Sequence, residues 1–243
     1  MSIVGLLGQT ASTILNGVRM LREIDASQSP IEVEELRVGY SYPKRIVTGV
    51  PINPDLMPSS KEEMYDEERY RDTTPIPLYA GSGSVWMRLH NRALKRTSIR
   101  SIFVKKRPIA INPQGSLMYV AEGGEGEVLR FSVDLDSDRA ALMKDGWRDG
   151  KLVPAEGPYF DTSSIEVEPD GIRNIAIDFS CSNRAYQCEI WLRIGGKESI
   201  VFQVNPNDPF GVVPIESVPK AQRYWAPPWH EPSFIIPEDT TSP

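Results

Sequence analysis

A chain of 243 residues has room for one large β domain, or for one domain with appendages. Hydrophobic residues make up 40% and charged residues 25%, while 21 prolines and 18 glycines argue against long helices. The net charge of -6 gives no global attraction to nucleic acid, and no window of about 20 residues is apolar enough for a spanning helix.

Residues 1–25 read as an amphipathic helix. Val4, Leu7, Ala11, Ile14, Val18 and Leu21 recur at spacings of three and four, which puts them on one face. Gln9, Ser12, Thr13, Asn16 and Arg19 fall opposite. Gly5, Gly8 and Gly17 each weaken such a helix by up to about 1 kcal/mol relative to alanine, so the stripe needs something to pack against. The same segment lacks the basic start and unbroken apolar run of a signal peptide. The expectation is a cytoplasmic protein with reduced thiols.

Residues 26–80 read as a proline-rich connector, with "YPKRIVTGVPINPDLMPSS" extended or irregular. A short helix is expected over 60–70, where Ser60 and Glu63 fit a capping box.

From 81 to 210 the pattern changes to short alternating segments. They are "SVWMRLHN", "SIRSIFVKK", "SLMYVAE", "EVLRFSVDLD", "SIEVEP", "IRNIAIDFSC", "CEIWLRI" and "ESIVFQV", separated by turn sequences such as "NPQG" and "EPDG". That rhythm predicts a mainly β fold, an antiparallel β-sandwich. The stretch "DRAALMKDGWRDGKLVPAEGPYF" breaks it and reads as a long loop with a helical turn. Residues 211–243 form a Pro- and aromatic-rich tail unlikely to fold alone.

The two cysteines, Cys181 and Cys188, have six residues between them. Alternation sets Ile175, Ile177, Phe179 and Cys181 on one face of the first strand, and Cys188, Ile190, Leu192 and Ile194 on one face of the next. Both thiols are therefore expected inward, at facing ends of a hairpin closed by "SNRAYQ". Two core thiols is the favoured reading and a disulfide the second; zinc wants more ligands, and a redox pair a tighter spacing. Trp191 alternates outward with Glu189 and Arg193, either under intramolecular cover or on a binding face.

Chemistry is sparse. "GSGS" is not a nucleophile elbow, "GGEGE" is not a phosphate loop, and "HEPSF" lacks the second histidine of a zinc protease. Asp134, Asp136, Asp138 and Asp145 have calcium-like spacing, but Arg139 stands where such a loop needs glycine. A carboxylate enzyme would draw on Glu122, Glu125, Glu127 and Asp161, which no spacing supports. No catalytic, metal or cofactor-binding residue is assigned, and no cofactor is expected. From Thr73 to Ala121 there is no acid, while Arg88, Arg92, Lys95, Arg96, Arg100, Lys105, Lys106 and Arg107 fall there. Trp86 and Arg88 alternate outward with His90 and are binding candidates, yet acids from later strands can pair with these bases, so nucleic acid is a poor partner.

From "VWMRLHNR" through "GPYFDTSSIEVEPDGIRNIAIDFSCSNRAYQCEIWLRI" to "NDPFGV", over roughly 84–213, the chain resembles a family of uncharacterised bacterial, mainly actinobacterial, proteins. The resemblance implies an immunoglobulin-like sandwich and no established activity. The resulting expectation is a non-enzymatic interaction or structural protein. Val4, Leu7, Ile14, Val18 and Leu21 dock on a protein partner or on a second copy, and Trp86, Arg88 and Trp191 are candidates on the sandwich. A membrane surface is the alternative for the helix, whose first 18 residues carry no charged side chain. If the stripe drives assembly, light scattering gives an oligomer for the full chain and a monomer for a chain starting at Ser27. Equal monomeric masses exclude self-assembly through it.

Overall fold

The computed structural model describes residues 22–23, 29–39, 44–47, 76–110, 117–120, 128–148, 151–154, 157–195, 199–218 and 223–226. The stripe from Val4 to Leu21, the helix expected over 60–70 and the end of the tail lie outside the described residues.

Strands dominate. In chain order they are β1 (Arg22–Glu23), β2 (Ile31–Val38), β3 (Lys44–Val47), β4 (Leu78–Ala80), β5 (Ser82–Asn91), β6 (Thr97–Pro108), β7 (Leu117–Val120) and β8 (Leu129–Asp134). They continue with β9 (Met143–Arg148), β10 (Lys151–Pro154), one turn of helix α1 (Tyr159–Thr162), β11 (Ile165–Val167), β12 (Ile172–Ser180), β13 (Tyr186–Gly195), β14 (Ile200–Gln203), β15 (Phe210–Val213) and β16 (Arg223–Ala226). The eight alternating segments of the sequence fall on β5, β6, β7, β8, β11, β12, β13 and β14.

Two sheets result. The first runs β1-β14-β13-β15-β4-β3-β7-β16, with β6 also on β13 and β11 on β6; the second runs β10-β9-β8-β12-β5-β2. Both are mixed, which corrects the antiparallel expectation: β8 runs parallel to β12, β15 to β4, β1 to β14 and β16 to β7. Parallel neighbours need a long crossover, and the chain between β8 and β12 supplies one through β9, β10, α1 and β11.

Three further local expectations change. The stretch read as a connector contains β2, which pairs with β5. Its alternation is masked by a register shift between Val33 and Glu35, a bulge that breaks the period of two. The stretch read as a long loop contains the antiparallel pair β9 and β10, in which Arg148 faces Lys151. Most consequential, β12 and β13 are not a hairpin. β12 pairs with β5 and β8 in the second sheet, and β13 with β6, β14 and β15 in the first. Residues 181–185 carry the chain from one sheet to the other.

The core lies between the sheets. Val85, Met87, Leu89, Phe131, Ile175, Ile177 and Phe179 from the second pack with Ile102, Ile190, Leu192, Phe202, Phe210 and Val212 from the first. Phe179 meets Phe210 edge-on at 5.2 Å between ring centroids, linking the layers. At one margin Gly39 has φ +81°, and a Cβ there would lie 2.3 Å from the buried Tyr79 ring. Only glycine meets both conditions.

Two buried asparagines replace backbone pairing where strands end. Asn91 Nδ2 reaches the carbonyls of Lys95 at 2.9 Å, Val167 at 2.9 Å and Glu168 at 3.0 Å, and Oδ1 accepts from Ala93 N and Thr97 Oγ1. Asn205 closes a gap beside β13. Trp191–Ile194 of β13 pair with β14 and Tyr186–Cys188 with β15, so Glu189 and Ile190 fall between the two ladders. There Asn205 Oδ1 accepts from Ile190 N at 2.8 Å, and Nδ2 donates to Cys188 O at 3.4 Å and Asp208 O at 3.2 Å. Replacing Asn205 by alanine orphans buried backbone groups that water does not reach, and is expected to cost about 2–4 kcal/mol. Urea unfolding of Asn205→Ala measures it; a loss below about 1 kcal/mol would show that the gap closes without the amide.

Candidate functional site

The first sheet presents its outer face along β6 and β13. Alternation sends Cys188, Ile190, Leu192 and Ile194 into the core and turns Glu189, Trp191 and Arg193 away from it. Trp191 lies directly across from Phe103, and Glu189 across from Lys105. The two rings stack with centroids 6.4 Å apart and planes 15° from parallel. Lys105 Nζ sits 3.5 Å from the Trp191 ring centroid, and the Arg193 guanidinium lies 5.8 Å over Phe103. Trp191 Nε1 donates to Glu189 Oε2 at 3.1 Å. Both rings are half-buried, so the patch is an aromatic pair held between two cations on the solvent side of the sheet.

Trp86, Arg88 and His90 share the outer face of the second sheet, where alternation puts them. Arg37 lies 5.4 Å over Trp86. Arg88 Nε pairs with Glu34 Oε2 at 3.1 Å, His90 Nδ1 lies 2.9 Å from Glu34 Oε1, and His90 Nε2 lies 2.8 Å from Asp170 Oδ1. Arg92 pairs with Glu32, and Arg96 with Glu168 at 2.5 Å. Arg88, Arg92 and Arg96 of the acid-free basic stretch are thus matched by acids from elsewhere. Some come from the later turn at 168–170, as expected, but β2 supplies Glu32 and Glu34 from an earlier part of the chain.

The third polar region is where the chain crosses between sheets. An open groove of about 530 Å³ is lined by Lys106, Pro108, Asp136, Asp138, Asn183, Arg184 and Tyr186. Its acid is largely committed to structure. Asp136 Oδ2 accepts from the backbone of Ser182 at 2.6 Å and Asn183 at 2.9 Å, and Oδ1 from the Tyr186 hydroxyl at 3.2 Å. Lys106 Nζ donates to Leu135 O at 2.6 Å and to Ser137 O. The Asp136 bonds tie the end of β8 to the crossing segment, and those of Lys106 tie it to β6. Asp136 is therefore a clamp on the crossing, not a free member of a calcium loop. Burial alone would raise its pKa, but the bonds from Ser182, Asn183 and Tyr186 favour the anion and hold it below the usual carboxylate value.

Both cysteine thiols are free and buried. Burial, helped by Asp136 and Asp134, pushes Cys181 up to about 12, and burial also pushes Cys188 up. Buried neutral thiols of this kind are poor nucleophiles and poor metal ligands. Of the carboxylates considered for catalysis, Asp161 forms a two-pronged pair with Arg139 at 2.9 and 2.5 Å, which lowers its pKa. Glu122, Glu125 and Glu127 lie outside the described residues, as do Val4, Leu7, Ile14, Val18 and Leu21. Sequence reasoning missed Phe103 as the partner of Trp191, although both alternation patterns were readable. It also missed Glu34, whose position depends on the bulge.

No family model matches the chain, and neither a curated protein nor a solved structure matches it.

The lowered pKa of Asp136 has a sign that can be tested. A carboxyl held below its unfolded value of about 3.9 stabilises the fold above that value, and the contribution is lost as pH falls through the folded one. The stability gap between the natural protein and Asp136→Asn is therefore expected to be widest near neutrality and to narrow below about pH 4. Denaturant midpoints across that range measure it; a gap independent of pH would mean that the charge plays no part in the clamp.

Proposed function

We propose that this protein acts by binding another protein, as an interaction or structural accessory protein, and not by catalysis. The observation that carries the reading is the Phe103–Trp191 pair between Lys105 and Arg193. Tryptophan and arginine are the side chains that most often dominate binding energies, because they bury large surfaces with specific geometry. Cations on the rim favour an extended segment that carries glutamate or aspartate. Such a segment would lay apolar groups on the rings and carboxylates on Lys105, Arg193 and the neighbouring Arg107.

The finer fold reading is an immunoglobulin-like sandwich. Two facing sheets over one core and a chain crossing between β12 and β13 support it, while the parallel pairs depart from that pattern. A cytoplasmic setting is part of the proposal, supported by the two free thiols.

Fluorescence anisotropy with a labelled glutamate-rich peptide tests the surface. Binding is expected, weakened by added salt and at least tenfold by Trp191→Ala or by Lys105→Glu with Arg193→Glu. A lysine-rich peptide is expected not to bind. Unchanged binding by the variants would remove this face from the reading, and tighter binding of a single-stranded oligonucleotide than of the peptide would replace protein by nucleic acid as the partner.

A further inference from the structure

On the opposite sheet, Glu32, Glu34 and His90 bring one ligand atom each within 4.8 Å of one another. We propose that they form a binding site for a divalent transition metal, with Zn2+ as the best-fitting ion. The arrangement follows from strand register. Glu32 and His90 are directly opposed across β2 and β5, so their side chains emerge on the same outer face. A regular β2 would send Glu34 to that face with them and Val33 and Glu35 to the other. The shift between Val33 and Glu35 changes this: Glu35 opposes Arg88, and Glu34 is the extra residue, free to lean toward His90.

The donor atoms suit a metal. His90 Nδ1 and Glu34 Oε1 are 2.9 Å apart. Two ligands at about 2.0–2.2 Å from one tetrahedral ion stand about 3.4 Å from each other, so a separation of about half an ångström more would admit the ion. Of the ligand atoms of the set, His90 Nδ1 is shielded from solvent and has no partner in hydrogen-bonding geometry, although Glu34 Oε1 lies 2.9 Å away. The guanidiniums touch one oxygen of each glutamate: Arg88 contacts Glu34 Oε2, and Arg92 contacts Glu32 Oε2. The second oxygen of each is left for the ion, while the two cations limit the affinity.

A further feature lies behind the ring. His90 Nε2 is 2.8 Å from Asp170 Oδ1, the carboxylate–histidine arrangement that fixes the orientation of an imidazole toward a metal. Asp170 itself is fixed by the backbone. Its N donates to Asn91 O at 2.9 Å, Asn91 N donates to Gly171 O at 2.9 Å, and its φ of 54° locks the turn. One imidazole and two carboxylates favour zinc or its neighbours over calcium and magnesium, which prefer oxygen alone. Three protein ligands leave a position for water or for a carboxylate of a partner.

The test is calorimetric titration of the full chain with ZnCl2, and separately with MgCl2. One equivalent of zinc is expected to bind at micromolar concentration, with magnesium at least a hundredfold weaker. His90→Gln and Glu34→Gln are each expected to weaken zinc at least tenfold, and His230→Gln not at all. Thermal melting confirms that each variant is folded, and an NMR shift of the His90 ring nitrogens on adding zinc reads the site in the unaltered protein. Absence of zinc binding, retention of it in folded His90→Gln, unshifted His90 resonances, or equal binding of magnesium would each overturn the site.

Discussion

β13 shares its hydrogen bonds with three strands, and the arrangement of the first sheet depends on that. β6 covers one side along the whole strand, while β14 and β15 divide the other. A divided edge leaves two residues without a ladder, at the centre of a strand whose inward side chains are fully buried. An unmet amide or carbonyl there would cost about as much as a large part of a domain's net stability. The Asn205 side chain carries an acceptor and a donor at the spacing of a peptide group, and so stands in for the missing strand. This lets the sheet branch: β14 leads to β1, and β15 leads to β4, β3 and β7. The continuous β6–β13 ladder is also what sets Phe103 opposite Trp191, so the binding surface inherits its geometry from the same strand.

The crossing between β12 and β13 is the second constraint. Five residues are too many for a tight turn and too few for an independent element, and they must bridge the two layers. Asp136 meets the crossing from the end of β8, taking two of its backbone amides and the hydroxyl of Tyr186, while Lys106 on β6 holds the carbonyls of Leu135 and Ser137 on either side of Asp136. The thiols of Cys181 and Cys188 are the apolar ends of this passage. Their inward direction was legible from alternation. Their placement on different sheets was not, because alternation specifies a face and says nothing about which strand lies alongside.

The same distinction runs through the rest of the molecule. Strands with strict alternation, such as "SVWMRLHN" and "CEIWLRI", show themselves in sequence because each turns one apolar row to the core. Trp86, Arg88 and Trp191 were placed on outer faces for the same reason. β2 was hidden, since "IEVEELRV" puts two glutamates in a row at the bulge and loses its period. Parallel pairs such as β8 with β12 were hidden too, for they are made by residues more than forty positions apart and leave no local pattern. The ion pairs of the basic stretch belong to this class. Their existence could be argued from charge balance, but Glu32 and Glu34 were sought in the wrong direction along the chain.

The bulge in β2 therefore has two consequences that look unrelated in sequence. It erases the signature of the strand, and it brings Glu34 to the histidine on β5. A strand without it would alternate cleanly, would be easy to recognise, and would set Glu34 opposite Arg88, with Glu35 turned to the core side and His90 facing Glu32. A bulge at an edge strand also increases local twist and discourages pairing with a further strand. β2 lies at the edge of the second sheet. The irregularity thus discourages accidental extension of that edge while bringing Glu34 to an imidazole already flanked by Glu32 and Asp170. The opposite face is built on the β6–β13 ladder, which keeps one register from Tyr186 to Arg193 and shifts only between Arg193 and Ile194, beyond the Phe103–Trp191 pair. An unbroken register across Phe103 and Trp191 on one sheet and an extra residue beside His90 on the other give the sandwich two surfaces of different chemistry.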